Sequence, residues 1–82
     1  MDDRLRDLAD RWRRDYERYD VDRLIWTFNT CLDDPSRIAA LEVLMDRLCG
    51  DISEVDRAKI SRFLSRRDVR EFAERHNLGR DG

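Results

Sequence analysis

Glycine, proline, cysteine, histidine and lysine are all scarce in this chain. Its 82 residues hold three Gly, one Pro, two Cys and one His, and Lys59 is the single lysine. Two cysteines are too few for a disulfide framework. With one distant histidine they also make no zinc site, because no Cys-x-x-Cys or His-x-x-x-His spacing occurs. No Gly-rich phosphate loop is present. No apolar run approaches the ~20 residues that a bilayer span needs. The start, Met1-Asp2-Asp3, has neither a basic stretch nor an apolar one, so no secretory signal is expected and a reducing cytoplasm is the expected compartment. Neither metal nor cofactor is expected.

An excess of one charge sign is also missing. Lys and Arg number 17 against 19 Asp and Glu, a net charge of −2. Free-standing nucleic-acid binders usually carry a clear basic excess, so nucleic acid is not the expected partner. Both signs are abundant, at 44% charged residues, while 40% hydrophobic residues still suffice for a core. That balance excludes a disordered chain. A core of this size supplies only a few kcal/mol of net stability, which favours a partner or a second copy.

What fills the chain is helical periodicity. Strand-like alternation is absent, and the expected fold is all-α, a compact bundle of four to five short helices. Residues 1–79 form one domain, and 80–82 a frayed tail. The first helix is expected from Asp3 to Tyr19, capped by Asp2 or Asp3, with Leu5, Leu8, Trp12, Tyr16 and Tyr19 as its buried stripe. A second, from Val21 to Leu32, buries Val21, Leu24, Ile25, Phe28 and Leu32. Continued as one helix, the two stripes would lie roughly 160° apart at ~100° per residue. Either the chain turns at Tyr19-Asp20, with Asp20 as a new cap, or one long helix buries opposite faces in its two halves; the turn is the favoured reading.

Asp33-Asp34-Pro35-Ser36 marks the third helix, with Asp34 as cap and Pro35 in the first helical position. Ile38, Leu41, Leu44, Met45 and Leu48 face inward, and Gly50 is expected to close the helix in the left-handed conformation. The fourth begins with one of two capping boxes, Asp51 with Glu54 or Ser53 with Asp56, and buries Ile60, Phe63 and Leu64. The fifth starts near Ser65 and carries Val69, Phe72, Ala73 and His76, closing at Asn77-Leu78-Gly79. His76 in the last turn suits the helix dipole.

Three apolar residues fall off these stripes: Trp26, Val43 and Val55. Trp26 is expected either to be covered by the first helix, the favoured reading, or to stand on the surface as a partner anchor of the kind found at binding hot spots. Tyr16 and Tyr19 end the first helix among Arg13, Arg14, Arg18 and Arg23, a mixture common at interfaces. The candidate protein-binding residues are therefore Trp26, Tyr16, Tyr19, Val43, Arg14 and Arg18. Cys31 and Cys49 fall at opposite ends of a helical hairpin, roughly 15–20 Å apart. That distance is too great for a disulfide, so both are expected as small buried hydrophobes.

Catalysis has little support. Most carboxylates have an Arg three or four residues away and read as a solvated ion-pair face, not as tuned acids. The competing function is a DNA-binding transcriptional regulator. Arg62, Arg66 and Arg70 repeat every four residues with Arg67 between them, on a helix-turn-helix-like pair at 54–77. Against it, Asp68, Glu71 and Glu74 share the reading helix and would meet phosphates.

Two local resemblances are present. The stretch A-L-E-V-L-M-D-R-L-C-G-D-I-S-E-V-D-R-A-K-I-S-R-F-L (40–64) resembles the central helix pair of tellurite-resistance TerB-like domains, with Gly50-Asp51 in place of their Asp-Gly. The tail L-S-R-R-D-V-R-E-F-A-E-R-H-N-L-G resembles the first helix of SAP and LEM-like motifs. Neither implies a function for these residues. The expected function is a small non-enzymatic regulator or inhibitor that binds a larger host protein and can form a homodimer. Factors of phage or mobile elements, anti-CRISPR proteins among them, have this size and lack of motifs.

Overall fold

The computed structural model describes residues 3–78. Five helices follow one another: α1 (Asp3–Tyr16), α2 (Val21–Thr30), α3 (Asp34–Cys49), α4 (Glu54–Leu64) and α5 (Arg67–Arg75). The all-α bundle expected from the periodicity is the observed fold. The tail at 80–82 and the Asp2 cap lie outside the described residues.

Local chemistry accounts for the breaks. α1 ends at Tyr16, short of the expected Tyr19, because the chain tightens through Arg18 N–H to Asp15 O and Tyr19 N–H to Tyr16 O bonds. Asp20 then caps α2, its side chain accepting from Arg23 N–H at 2.7 Å. At α3 the cap is Asp33, one residue earlier than expected, and its carboxylate accepts from the Ser36 hydroxyl at 2.9 Å. Ser53 caps α4, accepting from Asp56 N–H. Arg66, not Ser65, precedes α5, without a side-chain cap. At its other end Asn77 adopts φ 56°, Asn77 N–H bonds Glu74 O, and Leu78 N–H returns to Ala73 O at 2.8 Å. This is a Schellman closure, and it folds Leu78 into the core.

Gly50 departs from expectation. Its backbone is extended, φ −96° and ψ −166°, not left-handed. The carbonyls at this end are satisfied otherwise: the Arg57 guanidinium donates to Leu48 O at 2.8 Å and to Gly50 O at 3.2 Å.

The central helix is α3, against which α1, α2 and α4 pack. Flanked on several sides, it buries Ile38, Leu41 and Leu44 together with Ala39, Ala40 and Val43. A helix surrounded by others buries more than one stripe, so Val43, expected on an outer face, is core at 3% exposure. Phe28 of α2 meets Phe63 of α4 and Phe72 of α5 edge-on, at 5.1 and 5.2 Å between centroids. The Arg37 side chain lies against Phe28 and Phe72 and donates to Phe28 O.

α1 is rotated from its expected azimuth. Ala9 is fully buried and Tyr16 nearly so, while Leu8 and Trp12 are exposed. The side facing α3 is Leu5, Arg6, Ala9, Arg13 and Tyr16, roughly 65° round from the apolar stripe at ~100° per residue. Polar contacts explain the offset. Arg6 forks onto Glu42 at 2.9 and 2.5 Å, and Arg13 pairs with Asp46. Ala9, with its single methyl, lets the two backbones approach. Leu32, expected in the core, lies past the end of α2 and is 91% exposed. Cys49, expected buried, is exposed, and Cys31 is half-buried; both are free thiols. No described helix is long and apolar enough to cross a membrane.

Candidate protein-binding surfaces

Two exposed surfaces combine apolar area with fixed cations. The first is a ridge over the α1–α2 turn. Trp12 stacks on Tyr16 at 5.7 Å, and Tyr16 meets Tyr19 at 5.1 Å. The Arg23 guanidinium then sits 5.2 Å from the Tyr19 ring and 5.0 Å from the Trp26 ring. Arg23 follows Asp20 by three residues, so the cap that starts α2 also places this guanidinium between the two rings. The ridge ends in two exposed indoles, Trp12 at 40% and Trp26 at 54%. Beside Trp12, Leu8, Arg11 and Asp15 complete a shallow depression of about 220 Å³.

The candidate residues are thus partly brought together. Trp26 and Tyr19 lie on the ridge. Tyr16 is its buried middle link, at 4% exposure, and cannot itself touch a partner. Burial pushes its phenol above the ordinary value, against a smaller opposing pull from the Ser36 hydroxyl. Val43 is interior and belongs to no surface. Arg14 and Arg18 are exposed, and among the described residues no ring contact links either to Trp26. Trp12 was missed as a surface residue because its spacing from Leu5, Leu8 and Tyr16 fits a buried stripe.

The second surface is a cleft of about 480 Å³ between α2 and α4. Ile25, Val55, Ala58 and Phe63 give it an apolar lining, and Lys59, Arg62 and Arg66 stand along it. The two helices run parallel. Lys59 pairs with Asp22 at 3.1 Å and Arg66 donates to Asn29 at 3.0 Å, both across 37 residues of sequence. The sequence held one signal of this cleft: Val55 lies off the α4 stripe, and Ala58, Arg62 and Arg66 continue its row at helical spacing.

The four arginines of the DNA-binding reading divide between two places. Arg62 and Arg66 border the cleft, whereas Arg67 and Arg70 lie with Glu71 and Glu74 around a depression on α5. Arg67 is paired with Glu71 at 3.2 Å and Arg66 with Asp68 at 2.7 Å. Carboxylates therefore interrupt the basic surface wherever α5 would meet phosphates.

Two carboxylates, Asp10 and Asp68, are held in the charged form by neighbouring arginines. Arg6 holds the Asp10 carboxyl below the usual carboxylate range, and Arg66 does the same to Asp68. His76, the last residue before the α5 closure, is packed on Phe72 at 4.6 Å, with Nε2 3.6 Å from an Asp34 oxygen. Among the described residues no three of His, Cys, Asp and Glu gather in a metal-binding arrangement.

Comparison with protein-family models, with curated proteins and with solved structures finds no match. The local resemblances at 40–64 and in the tail gain no support from it.

Proposed function

We propose that this protein is a small non-enzymatic regulator or inhibitor that works by binding another protein through the Trp12–Trp26 ridge. One observation carries the reading: two half-exposed indoles stand at the ends of one chain of ring contacts, which runs through the buried Tyr16, then Tyr19 and Arg23. Trp, Tyr and Arg dominate binding hot spots, and the two aromatic types offer large contact area with few rotamers to freeze. Arg23 is held by the rings on both sides, so its ordering cost is met before a partner arrives. The partner envisaged is a larger host protein, in the manner of phage or mobile-element inhibitors such as anti-CRISPR proteins, and the free chain can form a homodimer. The compartment proposed is the cytoplasm. Duplex DNA is the weaker alternative, since the arginines it needs are dispersed and paired with carboxylates.

The test is quantitative capture from host lysate by the tagged wild type, Trp26→Ala and the Trp12→Ala/Trp26→Ala pair, with helical content followed by circular dichroism. Loss of a stoichiometric partner in both variants, with the fold retained, supports the ridge. Undiminished capture by the double variant rejects it. Binding of duplex DNA tighter than about 10⁻⁴ M at low salt would return the DNA reading.

A further inference from the structure

We infer that the α2–α4 cleft is a second docking site, and that its occupant is an acidic amphipathic helix of a partner protein. The site is separate from the ridge, because none of its lining residues is Trp12, Tyr16, Tyr19, Arg23 or Trp26.

Charge selects the occupant. The chain has more acids than bases, yet none of the seven residues lining the cleft is acidic and three are cationic. Lys59 and Arg66 each have a carboxylate neighbour, Asp22 and Asp68. Arg62 makes no ion pair with a described residue, so its charge is available to a partner carboxylate. Between these cations the lining is apolar, and Val55 remains 64% exposed. Phosphate backbones would use the cations and waste that lining. A helix with leucine-like residues on one face and carboxylates beside them uses both.

Shape selects a helix. The helical row from Val55 through Ala58 to Arg62 spans about 10 Å, or two turns, at 1.5 Å per residue. Anchors at i, i+3, i+4 and i+7 cover that length. The Asp22–Lys59 bridge ties α2 to α4, and the Asn29–Arg66 bridge ties α2 to the residue that precedes α5. A second copy fits less well, since its exposed Leu8–Trp12 face is bordered by both Arg11 and Asp15.

The probe is an end-blocked peptide of about 14 residues, four helical turns, with Leu at the anchor positions and Glu elsewhere. Its control carries Lys for every Glu. Binding is read by ¹H–¹⁵N chemical shifts on the full chain. The acidic peptide should move the amides of Val55, Ala58 and Arg62, and bind more weakly as salt rises. Arg62→Glu should weaken it about tenfold and Arg62→Gln less. Val55→Asp should weaken it, and Trp26→Ala should leave it unchanged. All of these positions are exposed, so the variants keep the fold.

Equal binding of the Lys peptide, shifts confined to the ridge, or no saturable shift up to about 1 mM would overturn the inference. So would cleft shifts that grow with protein concentration alone, which would make a second copy the occupant. Displacement of the acidic peptide by duplex DNA would give the cleft to nucleic acid.

Discussion

Arg6 and Glu42, 36 residues apart in sequence, meet in a forked pair with nitrogen–oxygen distances of 2.9 and 2.5 Å. The Glu42 side chain is only 16% exposed and that of Arg6 34%. Hydrogen bonding to Glu42, and then to Asp10, pushes the Arg6 guanidinium further above its already high ordinary value. This pair, with Arg13 and Asp46, sets how α1 is turned on α3. It therefore also decides that Trp12 faces solvent.

The pair should be measurable as a coupling. In a double-mutant cycle on Arg6→Ala and Glu42→Ala, the interaction term is expected at about 1 kcal/mol, kept small because Arg6 is partly solvated. Urea unfolding of the four proteins reads it. A term indistinguishable from zero would mean that apolar packing alone orients α1. Trp12 fluorescence should shift in the variants if α1 rotates.

Tyr16 and the two tryptophans should behave oppositely on truncation. Tyr16→Ala opens a hole in the core, and a loss of roughly 3 kcal/mol is expected, enough to unfold much of so small a domain. Trp12→Ala and Trp26→Ala, at half-exposed positions, should each cost less than about 1 kcal/mol. Denaturant midpoints check both. Tyr16→Ala is consequently no clean probe of binding, whereas the tryptophan variants are.

Tyr16 also gives an alkaline signature. Burial raises its phenol above the ordinary 10.0, so the folded state favours the neutral form. Stability from this group is fully present below the unfolded value and falls as pH rises from there through the folded value. Ultraviolet titration should show the Tyr16 phenolate appearing later than free tyrosine. Tyr16→Phe should remove this part of the alkaline decline. If the decline is identical in Tyr16→Phe, another group causes it.

Two helix ends should respond differently to alanine. Gly50 is extended, and a Cβ there would find only ordinary contacts, Arg47 O at 3.6 Å and Asp46 O at 3.7 Å. Gly50→Ala should stabilise the fold by about 0.5 kcal/mol, by restricting the unfolded chain. Asn77, at φ 56°, holds the left-handed position. Asn77→Ala should cost about 1 kcal/mol, and Asn77→Gly little or nothing. Thermal unfolding of the three variants tests the assignment.

The all-α class and the approximate extent of the helices were readable from the amino acids alone, because what marks them is local. Asp20 and Ser53 accept from backbone N–H groups three residues away, and apolar spacing repeats within each segment. Trp26 stood out for the same reason: its position relative to Leu24 and Phe28 is fixed by helix geometry. Which azimuth of α1 meets α3, and that Val43 lies inside while Leu32 and Cys49 lie outside, depended on the assembled bundle. A helical wheel orders residues around one axis without saying where the neighbours stand. Those neighbours are set by contacts such as Arg6–Glu42 and Asn29–Arg66, which join parts of the chain 36 and 37 residues apart. The ridge and the cleft exist only once those distant segments are packed.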